Sequence, residues 1–314
     1  MVSILSGMTD AEPSTTVVVV TWRGAAHITA CLDALAAQSR PHRTLVVDNA
    51  SDDGTAAFLA AHPSKPRVLR LRRNTGYAGA MAAALDKVDT PLMAWLNDDA
   101  APAADWLATC EDTLGKAPLA AAVSARLTLA DGTVQSTGVR LTADGHGADL
   151  PGSAGEIFGF CGGAAVLNVE ALRSVGGVPA SYFCYYEDTD TAWRLRLAGW
   201  DVVSADADVT HQHGASTRPG SVQFHLWNER NRLLTLLRCA PRQVAIRQLV
   251  KFAVLTLVLP LRGKPPAPNF RPSLRCRALG AVAARLPRTL VERRAIGRRA
   301  ALDRGAVWEA WAGL

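Results

Sequence analysis

From residue 16 to 96, short apolar runs alternate with segments whose apolar residues recur at helical spacing. The run 16–21, four valines between two threonines, predicts a strand buried on both faces. Over 27–38, Ile28, Cys31, Leu32 and Leu35 fall on one side of a helix. A second strand over 44–47 leads into Asp52-Asp53-Gly54-Thr55, which opens another helix. A strand over 68–71, a helix over 76–87 and a strand over 92–96 continue the alternation. Such βα units in succession predict an α/β fold, a parallel sheet covered by helices, with ligands outside the carboxyl ends of the strands.

Beyond residue 118 the pattern loosens. Runs at 127–129 and 134–136 flank Ala130-Asp131-Gly132 as in a hairpin, and a glycine-rich loop over 145–163 leads to a small-residue strand at 164–167. Residues 187–197 read as a helix stopped by Gly199, and 222–239 as a further helix. Within 244–261, Arg247 and Lys251 leave a clean apolar run only over 252–261. A run of that length is too short to span a bilayer and predicts an interfacial helix. A proline-rich stretch, 264–272, precedes an arginine-rich, helix-prone tail. Three parts are expected: a loose lead-in (1–14), an α/β domain (15–217) and a basic helical region (218–314).

Composition permits a large core, since 49% of the 314 residues are apolar and 20% are charged. The net charge of +6 conceals an asymmetry: residues 1–217 hold 15 Lys/Arg against 24 Asp/Glu, and residues 218–314 hold 19 against 4. The acidic body suits a cation and the basic tail suits anions, lipid headgroups among them. The tail lacks the interleaved aromatics of a base-stacking surface, so no nucleic-acid partner is expected. Six cysteines without a Cys-x-x-Cys pair read as free thiols in a reducing compartment. No basic stretch leads into an apolar run at the N-terminus, and a cytoplasmic location is expected.

Five clusters carry candidate chemistry. Asp48–Thr55 follows the second strand, where a carboxylate can accept from the imide N–H of uracil or thymine, or cap the next helix. Arg72–Ala80 opens a helix with small residues that admit a nucleotide or sugar, or a close helix–strand contact. Asn97-Asp98-Asp99 offers hard oxygen ligands for Mg²⁺ or Mn²⁺, or a solvated loop. Tyr186-Glu187-Asp188-Thr189-Asp190 places three acids at a helix start, favoured by the helix dipole and also suited to general-base work. His211 and His213 form a His-x-His pair, a metal-ligand spacing that also occurs structurally. Neither a Gly-x-Ser-x-Gly elbow nor a Gly-x-x-x-x-Gly-Lys-Ser/Thr loop occurs.

In this order the clusters resemble the GT-A-fold, family 2 glycosyltransferases, in particular the rhamnosyltransferase- and galactofuranosyltransferase-like members that build bacterial cell-wall polysaccharides. The resemblance spans about residues 15–217. It implies a Rossmann-like, mixed and mostly parallel sheet with flanking helices, and an inverting transfer from a nucleotide-diphosphate sugar. It also implies the roles. Thr21 and Asp48 bracket the base and ribose, and Asn74, Gly76 and Gly79 lie along the donor. Asp98 sits near the ribose or donor sugar. Asp99 and His211, with His213 as substitute, hold Mg²⁺ or Mn²⁺. Asp188 is the base, Glu187 and Asp190 shape the acceptor end, and Trp193 and Arg194 stand behind it.

Two departures stand out: Trp22-Arg23-Gly24 replaces an aromatic–Asn pair, and Asn97 takes the first place of an Asp-x-Asp motif. The donor expected first is dTDP-rhamnose, then UDP-galactofuranose or another UDP-hexose. The acceptor expected is a saccharide or polyprenyl-linked hydroxyl, met on an anionic membrane surface if 252–261 is an anchor rather than a packed helix. A nucleotidyltransferase would want a glycine-rich basic loop where Trp22–Ala26 stands, and a non-catalytic scaffold would not need the full acid set.

Overall fold

A computed structural model of the protein describes residues 12–152, 155–211, 220–262 and 267–313. The chain begins with β1 (Thr15–Thr21), α1 (Ile28–Ala36), β2 (Arg43–Asp48), α2 (Thr55–Ala61), β3 (Arg67–Arg70), α3 (Gly76–Leu85) and β4 (Leu92–Asn97). Next come β5 (Ala100–Pro102), α4 (Trp106–Lys116), β6 (Ala120–Thr128), β7 (Val134–Ser136), β8 (Val139–Leu141), β9 (Gly147–Asp149) and β10 (Ala164–Asn168). The rest is α5 (Val169–Ser174), α6 (Glu187–Leu197), β11 (Asp201–His211), α7 (Val222–Cys239), α8 (Arg242–Val258), α9 (Pro272–Arg299) and α10 (Arg304–Trp311).

The main sheet runs β3-β2-β1-β4-β10-β6-β11-β5, with β7 paired to β6. β1 to β4 are parallel; β10 lies antiparallel between β4 and β6, and β11 is parallel to β6. The sheet is therefore mixed and mostly parallel, as the sequence predicts. Alternate residues feed two cores, because successive strand side chains point to opposite faces. Val18, Val20, Met93 and Trp95 enter one core, and Val17, Val19, Ala94 and Leu96 the other.

The sequence pattern found only the end of β6, the run at 127–129, because its first residues are alanines, whose β-propensity is low; the tertiary slot between two strands makes them part of the strand. The hairpin is present, with Leu127 opposite Ser136. The strand before His211, which reads as short in the sequence, has 11 residues.

The basic region is not a free tail. Leu233 and Leu234 of α7, Phe252 of α8, and Ala278 and Val282 of α9 belong to the same core as Val18 and Trp95. Several of its arginines are turned inward, among them Arg230, Arg232, Arg238 and Arg275. Arg275 stacks over the Phe252 ring at 3.6 Å.

The expected ten-residue apolar run needs correction. Arg247 and Lys251 do not interrupt the helix, since a charged side chain leaves the backbone hydrogen bonds intact. The segment Arg242–Leu261 has 20 residues with a mean hydropathy of 1.8, long and apolar enough to cross a membrane by length and composition, although 28% of it is buried.

Candidate active site

The carboxyl ends of β1, β2 and β4 carry Thr21, Asp48 and Asn97 to one edge of the sheet. A cavity of about 560 Å³ opens there. It is bounded by Trp22, Asn49, the 74–77 turn, Asn97-Asp98-Asp99, Gly162-Gly163, residues 183–188, His211 and the first turns of α7.

On the donor side, Thr21 and Asp98 meet around Gly24, where an added Cβ would collide with Thr21 Oγ1 and Asp98 Oδ2. Neither oxygen has a hydrogen-bond partner among the described residues. Burial, with Asp99 beside it, pushes the Asp98 carboxyl up to about 6. Asp98 lines the cavity, so its free oxygen is an acceptor left for a ligand hydroxyl, whereas Thr21 is fully buried behind it and only its neighbours Val20 and Trp22 line the cavity.

Asn49 and Asn74 brace the turn into α3. Asn49 Nδ2 donates to Asn74 Oδ1 at 3.0 Å and to the Gly76 carbonyl at 3.1 Å, and its Oδ1 accepts from the Thr75 N–H at 2.8 Å. Gly76 has φ +72°, and a Cβ there would strike the Phe183 carbonyl. Gly79 packs against Thr75 instead of lining the cavity. Asp48 is buried beside Thr21, its carboxylate accepting from the Ser51 N–H at 2.8 Å and pairing with Arg70. The cavity lining starts one residue later, at Asn49.

Asp99 and His211 form the candidate metal centre. His211 Nδ1 lies 2.8 Å from Gln135 Oε1, so the tautomer that donates there leaves an Nε2 lone pair on the other side. Nε2 lies 3.1 Å from Asp99 Oδ1 and 3.1 Å from Asn97 Nδ2. Two ligands about 2.1 Å from one octahedral cation, at a right angle, would stand about 3 Å apart, so the pair fits such an ion. No group of three His, Cys, Asp or Glu side chains among the described residues could hold one alone. His213 lies outside the described residues.

Glu187 and Asp188, at the start of α6, line the same cavity. Asp188 Oδ2 accepts from the Gly162 N–H at 3.0 Å, and Oδ1 from the Thr189 N–H at 2.5 Å and hydroxyl at 3.1 Å. Tyr77 donates to the Gly162 carbonyl at 2.7 Å and so anchors the residue whose N–H holds Asp188. Burial raises the Asp188 pKa against these hydrogen bonds. Burial and the neighbouring Asp188 push the Glu187 carboxyl well above its usual range, and its Oε2 has no partner among the described residues. A carboxyl in that condition is a neutral hydrogen-bond donor or a strong base.

The segment leading to these acids is strained. Phe183, Tyr185 and Tyr186 have φ of 69°, 71° and 70°. Asn231 of α7, fully buried, holds it: Nδ2 donates to the carbonyls of Tyr182, Cys184 and Tyr185 at 3.1, 2.9 and 2.7 Å. The Ala78 N–H takes the Phe183 carbonyl at 3.0 Å.

Three residues expected at the acceptor end are turned into the core, because α6 rotates by about 100° per residue and only its first positions face the cavity. Asp190 pairs with Arg194 at 2.7 Å and Arg238 at 2.9 Å and accepts from the Tyr182 hydroxyl at 3.0 Å. Arg194 also donates to the Val175 carbonyl. Trp193 stacks on Trp308 and meets Phe158 edge-on.

Residues to which the sequence assigned no role complete the site: Trp22, Asn49, Tyr77, Asp149, and the aromatics Phe183, Tyr185, Phe224 and Trp227. Phe224, Trp227 and Asn231, at i, i+3 and i+7 on one helix, were a readable signal.

Residues 16–176 match the model of glycosyl transferase family 2. A relative from Mycobacterium tuberculosis, N-acetylglucosaminyl-diphospho-decaprenol L-rhamnosyltransferase, is 27% identical over 246 residues, 67% of this chain and 78% of its own. Among solved structures, the mannosyltransferase PcManGT from Pyrobaculum calidifontis in complex with GDP-Man and Mn²⁺ aligns with a TM-score of 0.51 at 21% identity, over 96% of this chain and 79% of that one. S. aureus TarS 1–349 in complex with UDP-GlcNAc aligns at 0.56 and 16% identity, over 86% and 80%. GalNAc-T7 with UDP, GalNAc and Mn²⁺ aligns at 0.62 and 11% identity, over 87% and 57%. These likenesses share the fold, and the family match covers more than half of the chain: the protein belongs to glycosyl transferase family 2.

Proposed function

We propose that the protein transfers a sugar from a nucleotide diphosphate to an acceptor hydroxyl by single displacement, with inversion at the anomeric carbon. The observation that carries this reading is the position of Asp188. Its carboxylate is fixed by Gly162 and Thr189, and it lines the same cavity as Asp98, Asp99 and His211. A hydroxyl entering between the two would lose its proton to Asp188 as its oxygen attacks the anomeric carbon. Glu187 orients that hydroxyl or its neighbour.

On the donor side, Asp98 Oδ2, with Thr21 behind it, accepts from a ribose or sugar hydroxyl, Asn74 and Gly76 follow the nucleotide, and Asp48 marks the base end. Asp99 and His211 would hold Mg²⁺ or Mn²⁺, which when bound stabilises charge on the leaving diphosphate. Two protein side chains alone would hold such an ion weakly, so its binding would depend on the donor diphosphate. The name of the mycobacterial relative supports an L-rhamnosyl donor and a polyprenyl-linked acceptor; we take dTDP-rhamnose as the first donor to test and the cytoplasmic side of a membrane as the place of reaction.

The test joins a thermal-shift panel of nucleotide sugars, with and without Mn²⁺, to transfer by Asp188→Asn. Donor binding is expected to persist and turnover to fall about 10²–10⁴-fold. Undiminished turnover removes Asp188 from the role.

A further inference from the structure

The face of α8 turned away from the protein carries an apolar stripe from Ile246 onward, with Arg247 at its border. Ile246, Val250, Val254 and Leu257 are 50, 54, 52 and 77% exposed, and Leu261 beyond the helix is 85% exposed. Their spacing of four, four, three and four residues keeps them on one side. The opposite side is used: Ala245, Gln248, Phe252 and Thr256 are buried. A stripe of this length on a helix is an interaction surface, not scattered exposure.

Its surroundings state the partner's chemistry. Arg242 and Arg247 are exposed on the same helix, and Arg271 and Arg277 at the start of α9, which packs on it. Residues 218–314 hold only four acids, Glu229, Glu292, Asp303 and Glu309. An apolar stripe flanked by arginines is complementary to an anionic lipid surface.

Length alone would also allow α8 to cross a bilayer, but its attachments do not. Gln248 and Lys251 are bound to Asp144 at 3.1 and 2.9 Å, and Arg275 is bound to the Phe252 carbonyl at 3.1 Å. A crossing helix would break these and strip Phe252 from the core.

α7 and α8 run back along each other: only Ala240 and Pro241 separate them, and Arg232 lies over the Phe252 ring at 5.9 Å. The Leu257–Leu261 end of the stripe therefore returns toward the end of α7 that carries Phe224 and Trp227 into the cavity.

We propose that α8 lies in the interface of an anionic bilayer by its Ile246–Leu261 stripe, holding the mouth of the catalytic cavity at the membrane. The purpose of this contact rests on the lipid-linked acceptor proposed above; the contact itself does not.

The test is sedimentation of the full-length protein with vesicles of phosphatidylglycerol and phosphatidylcholine against vesicles of phosphatidylcholine alone, at low and high salt. Binding to the anionic vesicles only, weakened by salt, is expected. Val254→Asp with Leu257→Asp should weaken it about tenfold or more, with an unchanged urea midpoint. Arg247→Glu, which leaves the apolar stripe intact, should weaken it less, and keeps the test valid if the double variant does not fold.

Wild-type protein that stays in the supernatant, or a stripe variant that binds as well as wild type, overturns the proposal. So does a wild-type dimer that the double variant converts to monomer without any vesicle binding, because the stripe then covers a second copy. Transfer to a water-soluble, short-chain acceptor analogue is measured in parallel. Loss of vesicle binding with transfer intact refutes only the docking, and absent transfer with vesicle binding intact refutes only the acceptor reading.

Discussion

Replacing Asn231 by alanine removes the one side chain that holds three carbonyls of the strained segment before the proposed base. An amide NH₂ has two hydrogens, so its three contacts amount to two full hydrogen bonds, worth about 1 kcal/mol each. Tyr182 keeps Arg230 as a donor, while the Cys184 carbonyl loses its donor in a part-buried place and the Tyr185 carbonyl loses its bond to Asn231. A carbonyl left without a donor costs about 1–3 kcal/mol. The better helix propensity of alanine within α7 returns roughly 0.5 kcal/mol. A net loss of about 2–3 kcal/mol is expected in urea denaturation.

The functional loss should be selective. Phe183, Tyr185 and Tyr186 hold positive φ only while the surroundings force them to, so release lets Glu187 and Asp188 drift. Turnover should fall more than about tenfold while donor affinity, set by Asn74 and Asp98 on other elements, stays near wild type. Asn231→Asp keeps the shape and turns an acceptor toward the carbonyls, so it should be at least as damaging. A loss under about 0.5 kcal/mol, the scale of a neutral surface change, with full turnover would refute the reasoning.

Three further predictions concern the acids. Burial raises the Asp188 pKa, with Glu187 adjacent and Asp149 facing it from β9, so the acid limb of kcat/KM should lie above the ordinary carboxylate value of about 4. A limb at or below that value would count against Asp188. The linkage sign is opposite for stability: a raised folded-state pKa stabilises fully below the unfolded value, and that contribution is lost as pH rises through the folded value. Asp188→Asn should therefore stabilise the ligand-free protein near neutral pH, read by urea midpoints. Asp190→Ala leaves Arg194 and Arg238 buried without their carboxylate and should cost about 3–5 kcal/mol. If it instead raised the acceptor KM at unchanged stability, Asp190 would belong to the acceptor end after all.

The alternation of apolar runs and helical periods determined the βα succession from β1 to β4, because burial on a sheet and on a helix imposes different periods on the same chain. It also put Asp48, Asn97–Asp99 and His211 just after strands. Only the tertiary structure decided which side chains meet. Asp99 and His211 are 112 positions apart in the chain and come within 3.1 Å because β5 pairs antiparallel with β11 and sets His211 opposite Ala100, the residue after Asp99. The three acids of α6 read as one cluster in the sequence, yet helix rotation sends Asp188 to the cavity and Asp190 to Arg194 and Arg238. The strand made of alanines, the strained Phe183–Tyr186 turn and its clamp by Asn231 depend on neighbours distant in the chain. Propensity and spacing are local quantities, and those neighbours are not.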